Sequence, residues 1–212
     1  PDNMNLSLLG IDPTGSKFKK HYPPHIELVS NFFSSDLVKK EYKEKKARII
    51  TSFSMFYDLE NPLQFMQDIF EIIADDGIWV LEQSYMPFML ETNSFDTICH
   101  EHLEFYSLFQ IKWMTNKIGF EIVDVEFNDI NGGSFSIIIQ KKNGPLQISD
   151  NVNETLDDEN NKKISTLEPY KKFADQILQN KIEFKAFLQQ AKSDNKLVLA
   201  LGASTKGNVI LQ

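Results

Sequence analysis

ARIITSF at residues 47–53, PLQFMQDIFEIIA at 62–74 and IWVLE at 78–82 decide how the chain folds. The first and third are short apolar runs with β-branched residues, the pattern of strands buried on both faces. Between them Phe65, Met66, Ile69, Ile72 and Ile73 recur at helical spacing. Pro62 suits the first turn of that helix, and Asp76 with Gly77 punctuates the return. Strand, helix, turn and strand at this interval make a parallel βαβ unit, so the fold class is α/β.

The same grammar extends both ways. Upstream, LSLLGID (6–12) reads as a buried strand ending in an acid, followed by the loop Pro13, Thr14 and Gly15. In doubly wound nucleotide-binding sheets an acid at such a strand end hydrogen-bonds ribose hydroxyls, and Asp12 is placed for that role; the competing reading is an aspartate that starts a turn. Downstream, Ser107 caps a helix through Lys117 that Gly119 ends, and residues 120–127 and 134–141 read as strands with Gly132 and Gly133 between them.

Chemistry concentrates at residues 99–102, where Cys99, His100, Glu101 and His102 stand together in a chain with one cysteine and four histidines. Imidazole exchanges protons near neutrality, and a neighbouring carboxylate orients it or raises its basicity. The cluster is read as a proton-transfer site, the competing reading being two histidines and a glutamate that fall on a polar loop. A zinc site on Cys99, His100 and His102 competes with this reading, although adjacent residues rarely converge on one tetrahedral ion.

FDTICHEH (95–102), NGGSF (131–135) and GASTKGN (202–208), in this order behind the α/β pattern, resemble the sugar C-methyltransferase family, built on the class I S-adenosylmethionine-dependent methyltransferase fold. The resemblance implies a Rossmann-like sheet, here lacking its first strand and the glycine loop it carries, followed by a helical segment and the start of a second Rossmann-like unit. It implies a zinc-binding, cysteine-rich module ahead of that strand, so the chain is expected to be an internal fragment with no zinc of its own. The implied organisation is a methyltransferase-like α/β domain over 1–141, a polar linker over 142–165, and a helix with the opening of the C-terminal unit over 166–212.

By the same resemblance His102 is the general base, Glu101 positions the sugar or the imidazole, and Cys99 stands where the family carries a catalytic tyrosine. S-adenosylmethionine is assigned to Asp12, Asn31, Ser52 and Phe53. The ketone-bearing sugar nucleotide is assigned to Asp58, Tyr85, Asn131, Gly132, Gly133 and Lys206. Asp58 falls near a second family histidine, and Asn131 replaces the histidine that usually precedes the paired glycines. A thiol is a weak hydrogen-bond donor, so Tyr85 or Tyr106 is expected to take over at the enolate if the substrate is unchanged.

Composition narrows the partners. A net charge of −8 argues against a nucleic-acid backbone, which demands concentrated basic surface. No run of about 18 apolar residues indicates a membrane span. A single cysteine excludes an internal disulfide and fits a reducing, cytoplasmic setting. Residues 142–165 are rich in Asn, Asp and Glu, the basis for reading a linker. Residues 166–192 then carry a helical pattern opened by Pro169, residues 197–201 read as a strand, and 202–208 as a glycine-rich turn lacking the residues of a Walker loop. An NAD-dependent oxidoreductase is disfavoured by the absence of a full GxGxxG, while a catalytically inactive or binding-only fragment and a methyltransferase for another small-molecule substrate stay open as alternatives.

Overall fold

A computed structural model describes residues 6–43, 45–202 and 205–211. Strand β1 (Leu8–Ile11) pairs in parallel with β2 (Ile26–Val29), joined by the one-turn helix α1 (Gly15–Phe18) and a 3-10 turn at Lys19–His21. Helix α2 (Ser35–Tyr42) follows, its first turn closed by the Ser34 hydroxyl accepting the Leu37 N–H at 3.2 Å. The main sheet is mixed, in the order β3-β4-β6-β5. Strand β3 (Ala47–Phe53) lies parallel to β4 (Ile73–Ser84), while β6 (Ser134–Lys141) runs antiparallel to both β4 and β5 (Phe120–Asn128).

Helix α3 (Pro62–Ile72) connects β3 to β4, with Asn61 as its cap and Pro62 in its first turn. Met66 and Ile69 face the sheet and are fully buried. Alternation along β4 turns Trp79 and Leu81 inward, and β6 adds Phe135, Ile137 and Ile139. Helix α5 (Leu108–Ile118) closes this core and ends at Gly119, whose φ of +107° is the left-handed conformation such a stop requires. No helix among the described residues is long and apolar enough to cross a membrane.

Two readings of the sequence are corrected beyond β6. The polar stretch 142–165 contains helix α6 (Asp150–Asn161), which packs on β5 and sends Val152 into the main core. The apolar run 197–201 forms no strand; Leu197, Leu199 and Leu201 lie exposed, with no neighbouring strand among the described residues to receive their backbone hydrogen bonds. Helix α7 (Glu168–Ser193) docks its first half on α4 (Met86–Thr92), where Phe173 joins Met86, Leu90 and Ile164 in a second, smaller core. Limited proteolysis followed by mass spectrometry is expected to cut first within 196–202, leaving 150–161 intact.

Candidate functional site

The loops at the carboxyl ends of β3 and β4 converge. After β3 a 3-10 turn, Phe56–Asp58, buries Phe56 completely and leaves Tyr57 partly exposed on the other side. The Tyr57 carbonyl accepts the N–H groups of both Leu103 (3.0 Å) and Glu104 (3.1 Å), which stitches this turn to the segment holding the histidine cluster. That segment opens with a 3-10 turn, Phe95–Thr97.

Thr97 is the post on which the cluster hangs. Its hydroxyl donates to the Ser94 carbonyl at 2.9 Å, its side chain is buried, and its own carbonyl accepts the Cys99 N–H at 3.0 Å. The same carbonyl lies 2.8 Å from His102 Nδ1. A carbonyl only accepts, so Nδ1 carries the hydrogen, and in the neutral ring the lone pair is then on Nε2. The ring is held on its faces as well: Tyr57 lies 4.5 Å away at 56°, and Phe105 approaches edge-on at 6.3 Å. Asp58 shares this neighbourhood. Its carboxyl titrates above the ordinary aspartate range chiefly because of partial burial, with His102 opposing the shift and Glu101 adding to it. Thus His102, Glu101 and Asp58, nominated separately in the sequence, stand within one electrostatic cluster, with the partly buried Cys99 beside them.

The paired glycines arrive from the other side. Asn131, Gly132 and Gly133 have φ of +56°, +86° and +122°, three successive left-handed residues. A Cβ on Gly133 would meet Phe88 at 2.7 Å, whereas one on Gly132 would meet nothing within 4 Å. Glycine is therefore required at 133 by packing, and at 132 by backbone conformation beside open space. The Gly133 carbonyl accepts the Tyr85 N–H at 3.0 Å, and the turn shares a small cavity with Ser84, Met86, Thr97 and Phe105. Helix α8 (Thr205–Leu211), which carries Lys206, packs against the Phe95–Thr97 turn. Residues 203 and 204 of the GASTKGN motif lie outside the described residues.

Tyr85 lines the same cavity, but its phenol is turned away from it. Only 1% of Tyr85 is exposed, and its phenol donates to Glu159 Oε1 at 2.8 Å. Tyr106 is no better placed: its ring packs on Phe56 and its oxygen is closed off from solvent. Neither phenol reaches the cleft beside His102. Among the described residues no three His, Cys, Asp or Glu side chains are grouped to hold a metal ion, so the geometry lends nothing to a zinc site on Cys99, His100 and His102.

A second constellation lies at the ends of β1 and β2. The N–H groups of Asp12 and Asn31 both reach the Val29 carbonyl at 3.1 Å, which sets their side chains side by side. Asp12 Oδ1 takes the Thr14 N–H (2.7 Å) and hydroxyl (2.8 Å), so the aspartate does start a turn. Oδ2 remains as an acceptor for a sugar hydroxyl. Asn31 Oδ1 accepts the Phe32 N–H at 2.8 Å. Phe53 is exposed at the end of β3, but the Ser52 hydroxyl is committed to the core, accepting the Trp79 indole N–H at 2.6 Å. The Ser52 side chain is therefore not available to a ligand, whereas the Phe53 ring is exposed.

Tyr57, Thr97 and Glu159 were not legible as site residues. Thr97 lies inside the FDTICHEH motif, the only signal that pointed to it; Tyr57 and Glu159 carried none.

Comparison with known proteins is consistent with this arrangement. The family described as methyltransferase domain matches residues 7–125. The family described as C-methyltransferase C-terminal domain matches residues 129–212. The C-methyltransferase NovU of Streptomyces niveus is 24% identical over 205 residues, 96% of this chain and 49% of that protein, so the chain spans about half the length of this relative. Among solved structures, LepI in complex with SAM aligns with a TM-score of 0.53 at 14% identity, covering 66% of this chain and 38% of LepI. The putative methyltransferase bound to the Haloferax volcanii Trm112 activator aligns at 0.52 and 10% identity, covering 66% and 75%. These structures share the α/β methyltransferase-like fold.

Proposed function

Because the chain belongs to the methyltransferase-domain family, we propose that it is the catalytic portion of an S-adenosylmethionine-dependent C-methyltransferase acting on a ketone-bearing sugar nucleotide. The observation that carries the reading is the tautomer of His102, fixed by the Thr97 carbonyl so that Nε2 is the proton acceptor. Carbon next to a ketone becomes nucleophilic only when its proton is removed, and a neutral imidazole with a fixed tautomer is suited to that step. The similarity to a C-methyltransferase and to the C-methyltransferase C-terminal domain supports carbon as the acceptor.

S-adenosylmethionine, when bound, supplies an electrophilic methyl group. Asp12 Oδ2 would hold its ribose, with Asn31 and Phe53 beside the base. Asn131, Gly132 and Gly133 would form the wall for the sugar nucleotide, Asp58 and Glu101 would hold its hydroxyls, and Lys206 is suited to its phosphates. In the sheet, β1-β2 and β3-β4-β6-β5 each start on an edge with no partner among the described residues, which supports a place between β1 and β3 for one further parallel strand bearing the glycine loop.

Two measurements test this. Full-length protein incubated with nucleoside-diphosphate keto-hexoses and S-adenosylmethionine is expected to give a product heavier by one methylene, with the new methyl on carbon by NMR; methylation on oxygen or nitrogen alone would overturn the reading. Residues 1–212 by themselves are expected to bind S-adenosylhomocysteine weakly in calorimetry, because the glycine loop that approaches the ligand is not among them. Binding as tight as that of the full-length protein would refute the place assigned to the further strand.

A further inference from the structure

Enolisation needs more than a base. As the proton leaves carbon, charge develops on the ketone oxygen, and a preorganised donor aimed at that oxygen commonly supplies a large share of the rate. The inference that follows rests on the enolisation reading above. Cys99 is a poor candidate for the donor, since a thiol donates weakly.

The six tyrosines can be sorted by what their phenols do. Tyr42 donates to Glu27 at 2.8 Å, Tyr85 to Glu159 at 2.8 Å, and Tyr170 to the Ile164 carbonyl at 2.9 Å. Tyr106 has its oxygen sealed in the core, and Tyr22 packs beside Gly10 on β1, away from the histidine cluster. Tyr57 alone stands against His102. It is partly exposed at the carboxyl end of β3, its ring is 4.5 Å from the imidazole, and its carbonyl is tied to residues 103 and 104. Its phenol is within electrostatic reach of Asp58 and Cys99 and shares a hydrogen bond with the Ser54 side chain.

We propose that Tyr57 is the oxyanion donor of this site, its phenol hydrogen-bonding the ketone oxygen while His102 Nε2 takes the proton from the adjacent carbon. The C–H bond breaks, its electron pair becomes the carbon–carbon double bond of the enolate, the proton resides on Nε2, and the negative charge on oxygen is met by the Tyr57 O–H. Burial, and then the Asp58 charge, hold the phenol above the ordinary tyrosine range, so it stays protonated and able to donate at neutral pH. The geometry explains how the cluster operates with cysteine at 99: the phenol is delivered from the β3 loop.

The test uses full-length protein, nucleoside-diphosphate keto-hexoses as probes and S-adenosylhomocysteine in deuterium oxide, reading deuterium wash-in at the carbon next to the ketone. Tyr57→Phe keeps the ring against His102 and removes only the donor. Wash-in is expected to slow by about 10²- to 10³-fold, the usual effect of deleting one oxyanion donor, while the nitrogen-15 shifts of His102 still report hydrogen on Nδ1. Unchanged wash-in in Tyr57→Phe would overturn the assignment of Tyr57 and leave the base in place. A slowed reaction accompanied by a changed His102 tautomer would overturn it too, because the effect would then run through the imidazole. No wash-in with wild-type protein would overturn enolisation itself and the donor with it.

Discussion

Replacing His102 by alanine in the full-length protein is expected to lower turnover by about two to four orders of magnitude, the contribution of a positioned general base. The expectation follows from how little freedom the ring has. Its Nδ1 is spent on the Thr97 carbonyl at 2.8 Å, Tyr57 covers one side at 4.5 Å, and Phe105 stands at 6.3 Å. Only Nε2 remains to meet a substrate proton. Steady-state kinetics should show the loss in kcat, with the affinity for S-adenosylhomocysteine little changed, since Asp12 and Asn31 lie on the other strand pair. The variant should also fail to wash deuterium into the substrate. If it exchanges as fast as wild type, the base is elsewhere, and His100, exposed two residues away, is the next candidate.

The parts of this site that could be read from sequence were those whose chemistry is local. The motif FDTICHEH holds the proposed base and the turn that orients it within eight consecutive residues, and the Asn131–Gly132–Gly133 turn declares itself through glycine. The βαβ unit was legible because apolar periodicity switches from strand to helix and back within residues 47–82. Tyr57 was not legible, because its place beside His102 is made by backbone hydrogen bonds between loops some 45 residues apart in sequence.

Helix α6 failed for a different reason. Its inward positions are Val152, Thr155, Leu156 and Glu159, at helical spacing, yet only two of the four are apolar. A buried carboxylate at the last of them disguised a core-facing stripe as a polar tract. The run 197–201 errs in the opposite sense, since an apolar pattern announces a strand without supplying the partner that a strand needs.

That disguised residue carries the second large effect, this time on stability. Glu159 is only 3% exposed, and its two oxygens accept three hydrogen bonds: from the Tyr85 phenol at 2.8 Å, the Leu108 N–H at 2.6 Å and the Phe109 N–H at 2.9 Å. The last two are among the N–H groups that α5 leaves unpaired in its first turn, where the helix dipole also favours a negative charge. Glu159→Ala would strand all three donors in the interior. The expected cost is several kcal/mol, at about 1–3 kcal/mol for each buried donor left without its partner, read as a lower midpoint in urea denaturation of residues 1–212. Two milder variants separate the contributions. Tyr85→Phe removes one donor with its need for a partner and should cost about 1 kcal/mol. Glu159→Gln keeps one acceptor oxygen but turns an NH2 group toward a backbone N–H, and should cost about 1–3 kcal/mol. If Glu159→Ala unfolds at the wild-type midpoint, α6 is not anchored on α5 by this carboxylate. The same bonds bear on the site, because Tyr85 also takes the Gly133 carbonyl through its N–H and so sets where the paired glycines lie relative to Thr97. Loosening Glu159 should therefore raise the KM for the proposed sugar-nucleotide substrate in any variant that stays folded.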